Sequence, residues 1–336
     1  MGCNLKDLAS PTAIELSDLA GSRIGIDVFL NAYQFLTAMT GPEGRPLTSS
    51  NGVPTSHLMG FLDRATLMIR AGIDPVFIFD GRPHDLKRAT LDERRARKDA
   101  AKKKWQAAIE AGDEKAAKKL GPQTAEYTPE MVEQTKRMFD ALGVVWVDAP
   151  MEAEGAGAVR CSRGEIVAVA SQDWDTLLYG SPVMIRNLMA HGTRRFGRAV
   201  TAERIDLATL LEQHDLSREQ LIDLGIMIGT DFHPGIRGIG PKTGLKLIRE
   251  HGTVEAVCEA KGKDVPERLD EIRGLFHEHP TGDDPLPEHG MADEKVLRDF
   301  LQEEMGFSER RMVRALDRLR DSSRLRQAGQ STLFDF

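Results

Sequence analysis

The 336-residue chain is 40 % hydrophobic and 29 % charged, proportions that are ordinary for a globular protein with a sizeable core. It has no apolar run near the roughly 20 residues that a membrane-spanning helix needs, so we expect no membrane partner. The formal net charge of −7 excludes a protein that is basic throughout, and any anionic partner must meet a local concentration of positive charge.

The first half of the chain alternates between predicted strands and predicted helices. The strands are short apolar runs at residues 23–28, 75–79, 143–147 and 165–170. Helical patterns separate them, one beginning near Asn31 and another spanning Pro129–Leu142. This alternation predicts an α/β fold with a mainly parallel, twisted sheet flanked by helices.

Residues 82–128 interrupt the alternation with a charged, alanine-rich stretch that predicts a projecting helical insertion. Between Arg82 and Lys104 there are ten Lys or Arg against four Asp or Glu, so this part is locally +6 and the remainder is −13. We expect few apolar anchors, at Leu91, Trp105, Ile109 and Leu120. The alternative interpretation is a solvated helical face or a mobile loop.

The pattern becomes helical again from about Leu216. Residues 235–252 predict a glycine-rich hairpin followed by an amphipathic helix, with the sequence GIRGIGPKTGLKLIREHG. We expect residues 259–293 to be rich in loops and residues 294–321 to be helical. Cys3, Cys161 and Cys258 are odd in number and far apart, so we expect no disulfide framework and a reducing, cytoplasmic setting.

Carboxylates follow each of the four predicted strands. Parallel strands bring their carboxyl ends to one edge of a sheet, so these side chains are expected to converge. They are Asp27, Asp80, Glu152, Glu154, Asp173 and Asp175.

Converging carboxylates repel one another, and the usual remedy is a hard divalent cation such as Mg²⁺ or Mn²⁺. So many acids suggest two cations, about 4 Å apart, with a phosphodiester held between them. The alternative is that each aspartate merely caps a turn or a helix.

Segments in order along nearly the whole chain resemble the flap endonuclease family, the 5′ nucleases of replication and repair within the xeroderma-group-G/Rad superfamily. The archaeal form is the most similar. The segments are IGIDVFLNAYQFL (24–36), TSHLMGFL (55–62), PVFIFDG (75–81), EAE (152–154), ASQDWDTLLYG (170–180), MIGTDFHPGIRGIGPKTG (227–244) and QSTLF (330–334).

The resemblance implies a PIN-like 5′ nuclease fold. Its expected parts are an N-terminal nuclease region (1–98), a helical arch insertion (82–128), an internal nuclease region (129–258) with a helix–hairpin–helix at 225–252, a C-terminal helical part (259–325) and a flexible clamp-binding tail (326–336).

The implied activity is structure-specific 5′-flap endonuclease with 5′-3′ exonuclease, in Okazaki fragment maturation and base excision repair. The implied cofactors are two Mg²⁺ per subunit, which Mn²⁺ can replace, and K⁺ held by carbonyls near Ile236 and Ile239. A monomer, nucleoid-associated if archaeal, is expected. The alternatives are a related 5′ nuclease acting on other branched DNA or RNA, and a non-catalytic, clamp-bound DNA scaffold.

The resemblance also implies functional residues. Asp231 joins the six acids as a seventh metal ligand. Lys87 and Arg94 are implied as catalytic cations beside the acids Asp27 and Asp80. The implied contacts with branched DNA are Tyr33, Arg45, Thr55, Ser56, Gly229, Asp231, Gly238, Gly240 and Lys242.

The tail resembles a sliding-clamp binding box formed by Gln330, Leu333 and Phe336, although Asp335 stands where the family usually has an aromatic. Two further departures are the small residues Gly155 and Gly157 after the EAE acids, which we expect to loosen their helix. His233 after the GTD segment is another.

Overall fold

A computed structural model describes residues 3–195, 197–282 and 284–326 of the chain. Its strands are β1 (Thr12–Ile14), β2 (Arg23–Asp27), β3 (Asp74–Phe79), β4 (Val145–Asp148), β5 (Ala168–Ala170), β6 (Val183–Arg186), β7 (Arg194–Arg195), β8 (Arg198–Ala199), β9 (Ala202–Asp206), β10 (Ala292–Asp293) and β11 (Leu325–Arg326). Its α-helices are α1 (Val28–Ala38), α2 (Ser56–Arg70), α3 (Arg88–Glu110), α4 (Glu114–Leu120), α5 (Pro129–Leu142), α6 (Ala153–Ser162), α7 (Asp175–Leu178), α8 (Leu207–His214), α9 (Arg218–Ile228), α10 (Pro241–His251), α11 (Val254–Lys261), α12 (Leu269–His277), α13 (Glu294–Leu297) and α14 (Glu309–Asp321). A π-helix, Arg298–Glu304, continues α13.

The central sheet confirms the mainly parallel α/β prediction. Within the described residues it has seven strands in the order β1-β9-β6-β5-β2-β3-β4. Strands β6, β5, β2, β3 and β4 are parallel, and β9 and β1 continue the sheet in antiparallel pairs. The chain moves from β2 to β3 on one side and later returns to β5 on the other. The connection after β2 leads to one side of the sheet and the connection after β5 leads to the other. A crevice is therefore expected between the carboxyl ends of these two strands.

Three predicted boundaries were wrong for local reasons. The third strand starts at Val145, not at residue 143, because Gly143 ends α5 in a left-handed conformation. Helix α1 begins at Val28, not near Asn31, because the Asp27 side chain accepts the Leu30 N–H at 3.1 Å and caps the helix directly after β2. The fourth strand starts at Ala168, not at residue 165, because the Glu165 N–H still donates to the Arg160 carbonyl at 3.0 Å in the turn that ends α6.

Helices cover both faces of the sheet. On one face an aromatic cluster joins α2, β3 and α5, with the Phe77 and Phe139 rings stacked at 3.9 Å between centroids and Phe61 edge-on to both. Helices α7, α9, α10, α11 and α12 share a second apolar cluster on the other side of the molecule. Burial on both faces explains why β2 and β3 are almost continuously apolar.

The insertion is helical, as predicted, and consists of α3, α4 and a 3₁₀ turn. The buried side chains of α3 and α4 are the small residues Ala101, Ala108 and Ala117, and the four larger anchors expected from the sequence are only half-buried. At the end of the stretch, Ala125 and Tyr127 are buried as well. Alanine was overlooked because it is also the best helix former and so carries no burial signal of its own.

The C-terminal part is more ordered than predicted. The stretch 259–293 contains α12, which the sequence pattern missed because its first turn follows Arg268 in a left-handed conformation with no side-chain cap. The expected hairpin lies between α9 and α10. The three cysteines are free and buried, and among the described helices none is long and apolar enough to cross a membrane.

Candidate metal centre and nucleic-acid interface

Two aspartates at neighbouring strand ends form the floor of the site. Asp27 is the last residue of β2 and is buried, and Asp80 directly follows β3. Asp80 Oδ1 accepts the Ala153 N–H at 2.8 Å, which ties β3 to the start of α6. The loop before α6 comes so close that a Cβ at Gly81 would overlap the carbonyl oxygen of Ala149. Glycine is therefore required for this approach.

Helix α6 adds two acids to this floor. Glu152 is its N-cap residue and Glu154 lies in its first turn. Asp80, Glu152 and Glu154 each place one carboxylate oxygen within 4.8 Å of the other two. Ser171 Oγ donates to Glu154 Oε1 at 3.3 Å and also accepts the Asp173 N–H at 3.1 Å, so one hydroxyl links this group to the loop after β5.

The loop after β5 carries the next acids. Asp173 Oδ1 accepts the Asp175 N–H at 3.1 Å, and Asp175 Oδ1 accepts the Cys3 N–H at 2.7 Å. Burial raises the pKa of Asp175 well above its ordinary value, and the charges of Asp173 and Asp231 raise it further. Asp231, which the convergence of strand ends did not predict, is therefore close enough to interact electrostatically with Asp175.

The buried carboxylates of the floor repel one another and would be stabilised by a nearby positive charge. Burial is the first cause that raises the pKa of Asp27 to about 6 and that of Asp80 to about 8, and neighbouring carboxylates add to it. The same causes raise the pKa of Glu154 well above its usual range. Buried carboxylate oxygens that destabilise one another in this way fit hard divalent cations, which would neutralise the cluster.

Two cations from the base of the insertion reach the acids. Lys87 pairs with Glu152, and its Nζ lies 3.3 Å from Asp231 Oδ2. Burial alone would lower the pKa of Lys87, but Glu152 and Asp231 outweigh it and the pKa is raised, so the ammonium stays charged. Arg94 Nη2 lies 2.6 and 2.8 Å from the two Asp231 oxygens. Thr90 Oγ1 donates to the Asp231 carbonyl at 2.8 Å.

Comparison with known proteins identifies the family. Residues 1–101 match the XPG N-terminal domain and residues 143–231 match the XPG I-region. Flap endonuclease 1 of Methanosarcina barkeri is 41 % identical over 332 residues, which cover 97 % of this chain and 98 % of that protein. The chain belongs to the flap endonuclease family. Flap endonuclease 1 of Methanothrix thermoacetophila is 42 % identical over 341 residues, or 99 % of each protein.

Solved structures agree with this family assignment and confirm the predicted PIN-like fold. Flap endonuclease-1 from Methanococcus jannaschii has a TM-score of 0.75 and 33 % identity, over 96 % of this chain and 98 % of that one. The catalytic core of Rad2 in complex with DNA substrate has a TM-score of 0.72, over 95 % of this chain and all of that one. At 22 % identity the second likeness shows the fold alone.

The residues that the flap endonuclease resemblance implies for DNA contact fall into two groups. Tyr33 is 37 % exposed, and Lys98 Nζ lies 5.8 Å from its ring centroid. Arg45 stacks on Trp105 of the insertion at 5.2 Å. Thr55 and Ser56 are instead buried, and Ser56 Oγ donates to the Met39 carbonyl at 2.6 Å. Their hydroxyls hold the loop before α2, so any effect of theirs on DNA passes through its shape.

The hairpin between α9 and α10 presents main chain at the surface. Nothing lies within 4 Å of a Cβ built on Gly238 or Gly240, and Lys242 is exposed in the first turn of α10. Gly229 has a different role, because its positive φ of 116° forms the turn that starts the hairpin. Ile236 O accepts the Ile239 N–H at 3.0 Å.

Sequence reasoning missed several side chains that support the acids. Ser171 and Thr90 act through hydrogen bonds, and His279 Nε2 accepts the Glu152 N–H at 3.3 Å. His279 lies 127 positions from Glu152 in the chain, and no local motif marks it. The clamp-binding residues Gln330, Leu333 and Phe336 lie outside the described residues.

Proposed function

We propose that this chain is a metal-dependent, structure-specific 5′-flap endonuclease with 5′-3′ exonuclease activity, which hydrolyses phosphodiester bonds where single-stranded and duplex DNA meet. The observation that carries the proposal is the meeting of acids from the ends of β2, β3 and β5 and the start of α6 with cations from the base of α3. Family membership supports the same activity.

The seven acids would hold two divalent cations, and Asp80, Glu152 and Glu154 already lie together. The seven are Asp27, Asp80, Glu152, Glu154, Asp173, Asp175 and Asp231. When bound, the cations supply activation of water and charge neutralisation at the phosphodiester. Once the acids are neutralised, Lys87 and Arg94 can pair with the scissile phosphate. There they would stabilise the negative charge that develops during cleavage.

The surrounding surface suits a branched, flexible DNA. The basic α3 offers phosphate contacts without reading sequence, and Tyr33 offers an aromatic face to a base near the cut. The exposed glycine main chain at Gly238 and Gly240, with Lys242, suits the backbone of the duplex.

The proposal has finer parts. The cations are Mg²⁺, which Mn²⁺ can replace, and K⁺ is held by hairpin carbonyls near Ile236 and Ile239. The tail residues Gln330, Leu333 and Phe336 bind a sliding clamp. The enzyme is a cytoplasmic monomer, nucleoid-associated if archaeal, that matures Okazaki fragments and acts in base excision repair.

Product mapping on a double-flap DNA, compared with bubble and blunt-ended DNA, tests the activity. We expect cutting at the flap junction that requires Mg²⁺ and is faster than on either control. Faster cutting of the bubble would favour a related nuclease for other branched structures. Asp175→Ala should bind DNA and fail to cut. If the wild type binds DNA without cutting in Mg²⁺, the chain is a scaffold and the proposal fails.

A further inference from the structure

The helix that carries Glu152 and Glu154 has an unusual neighbour. A Cβ built on Gly155 would overlap the imidazole of His279, which comes from the loop after α12. Gly155 is one of the positions where the chain departs from the flap endonuclease pattern. Its lack of a side chain leaves the space that a distant ring occupies, and the expectation that it also loosens α6 stays a prediction.

His279 accepts a main-chain hydrogen bond at the N-terminus of α6. Glu152 is the N-cap residue, yet its side chain makes no capping bond. Its main-chain N–H donates to His279 Nε2 at 3.3 Å, and the next N–H, of Ala153, donates to Asp80 Oδ1 at 2.8 Å. The first turn that carries two of the acids is thus fixed by one acid and one imidazole.

The ring itself is held in place. His279 is 6 % exposed and packs edge-on against Tyr179, with 4.9 Å between ring centroids. Its acceptance at Nε2 assigns the proton to Nδ1, which interacts with the main chain of Pro280.

We propose that His279 is a positioning residue for the metal centre, and that Gly155 is the glycine that admits it. The imidazole touches neither DNA nor cation. It fixes the main chain of Glu152, and through it the directions of the Glu152 and Glu154 carboxylates. Supporting groups of this kind typically change metal affinity by about 10–100-fold when removed. The inference rests on the proposed metal-dependent nuclease function.

The test measures Mn²⁺ binding directly by calorimetry, beside the Mg²⁺ concentration for half-maximal flap cleavage. His279→Phe keeps a ring and removes the acceptor, whereas His279→Gln places an amide oxygen near the position of Nε2. We expect His279→Phe to weaken Mn²⁺ binding about tenfold. We expect His279→Gln to recover most of the loss, which a role in packing alone does not predict.

Gly155→Ala is the independent arm, because it displaces the ring without touching an acceptor. It should weaken Mn²⁺ binding like His279→Phe. Gly157→Ala is its control and should keep wild-type Mn²⁺ affinity, since the atoms nearest to that Cβ are the side-chain ends of Val169 and Ile78, at 3.1 and 3.3 Å. Wild-type Mn²⁺ affinity in folded His279→Phe or in folded Gly155→Ala overturns the inference, as does a Gln variant no better than Phe. If the wild type itself neither binds Mn²⁺ nor cuts, the proposed function has failed instead.

Discussion

The acidic floor and the helical insertion meet at Asp231, yet they are built in opposite ways. The floor consists of buried carboxylates fixed by main-chain hydrogen bonds at the ends of strands. The insertion consists of mostly exposed cations on the long helix α3 and the short helix α4, whose buried side chains are alanines. From this difference we expect the floor to hold its carboxylates firmly, and we propose that the insertion shifts when a single-stranded DNA enters.

Removing the cation at the junction of the two regions should have the largest effect. Lys87→Ala is expected to slow single-turnover cleavage by about 10²–10³-fold, because it removes a charge aimed at the scissile phosphate. DNA affinity should change little. Lys104→Ala, on the exposed part of α3, is the matched control and should leave the chemical step unchanged. Equal losses of binding and rate in Lys87→Ala would make Lys87 an ordinary phosphate contact.

Substitutions of Tyr33 test whether its ring stacks on a DNA base. Tyr33→Ala should weaken the productive complex by about 1–3 kcal/mol, the usual size of one stacking contact. Tyr33→Phe keeps the ring and should retain near wild-type cleavage. The two variants are compared through kcat/KM on one flap substrate. If Phe is as poor as Ala, stacking is not the role of the residue.

Burial of the floor carboxylates makes the stability of the metal-free protein depend on pH. The folded pKa of Asp80 is about 8, above its value of about 3.8 in an unfolded chain, and that of Asp27 is about 6. The folded protein therefore holds protons that the unfolded chain has lost. The free energy of unfolding should fall as pH rises from about 4 to about 8 in the absence of metal.

Denaturation in chelator at pH 5 and pH 8 measures this effect. Asp80→Asn should flatten the pH dependence and be more stable than the wild type at pH 8, by more than about 1 kcal/mol, because one pKa unit corresponds to about 1.4 kcal/mol. Mg²⁺ should stabilise the wild type more at pH 8 than at pH 5. A metal-free wild type that gains stability across this window would contradict the assigned pKa directions.

The smallest effect is expected at the far side of the insertion. Trp105 Nε1 donates to the Glu43 carbonyl at 3.1 Å, and Arg45 stacks on its ring. Trp105→Ala removes both contacts and should reduce flap cleavage only a few-fold, with no change in Mn²⁺ affinity, since exposed contacts contribute little. A loss as large as that of Lys87→Ala would show that the insertion is as rigid as the floor.

Much of the floor could be predicted from the sequence, because strand ends in a parallel sheet converge by topology. Asp27, Asp80, Glu152 and Glu154 needed only that rule, and the structure brings them together. Asp231 needed the family resemblance, since it follows a helix. Strand β6 was missed because it has only four residues, and β9 because its three charged residues leave a weak apolar pattern.

The supporting contacts could not be predicted. His279 reaches Glu152 from 127 residues away, and a glycine that makes room for a ring looks in sequence like any other glycine. The burial of Thr55 and Ser56 likewise depends on how the loop before α2 folds over them. Such contacts are set by packing between distant segments, on which local pattern has no bearing.

The central claim is that the converged carboxylates form a two-cation centre, and a Mn²⁺ titration by calorimetry at pH 8 tests it most directly. The account predicts two bound ions per wild-type chain, with binding weakened in Asp80→Asn and, separately, in Asp175→Asn. Both variants should remain folded and bind flap DNA. A wild type that binds no Mn²⁺, or variants that bind it as the wild type does, would contradict the account.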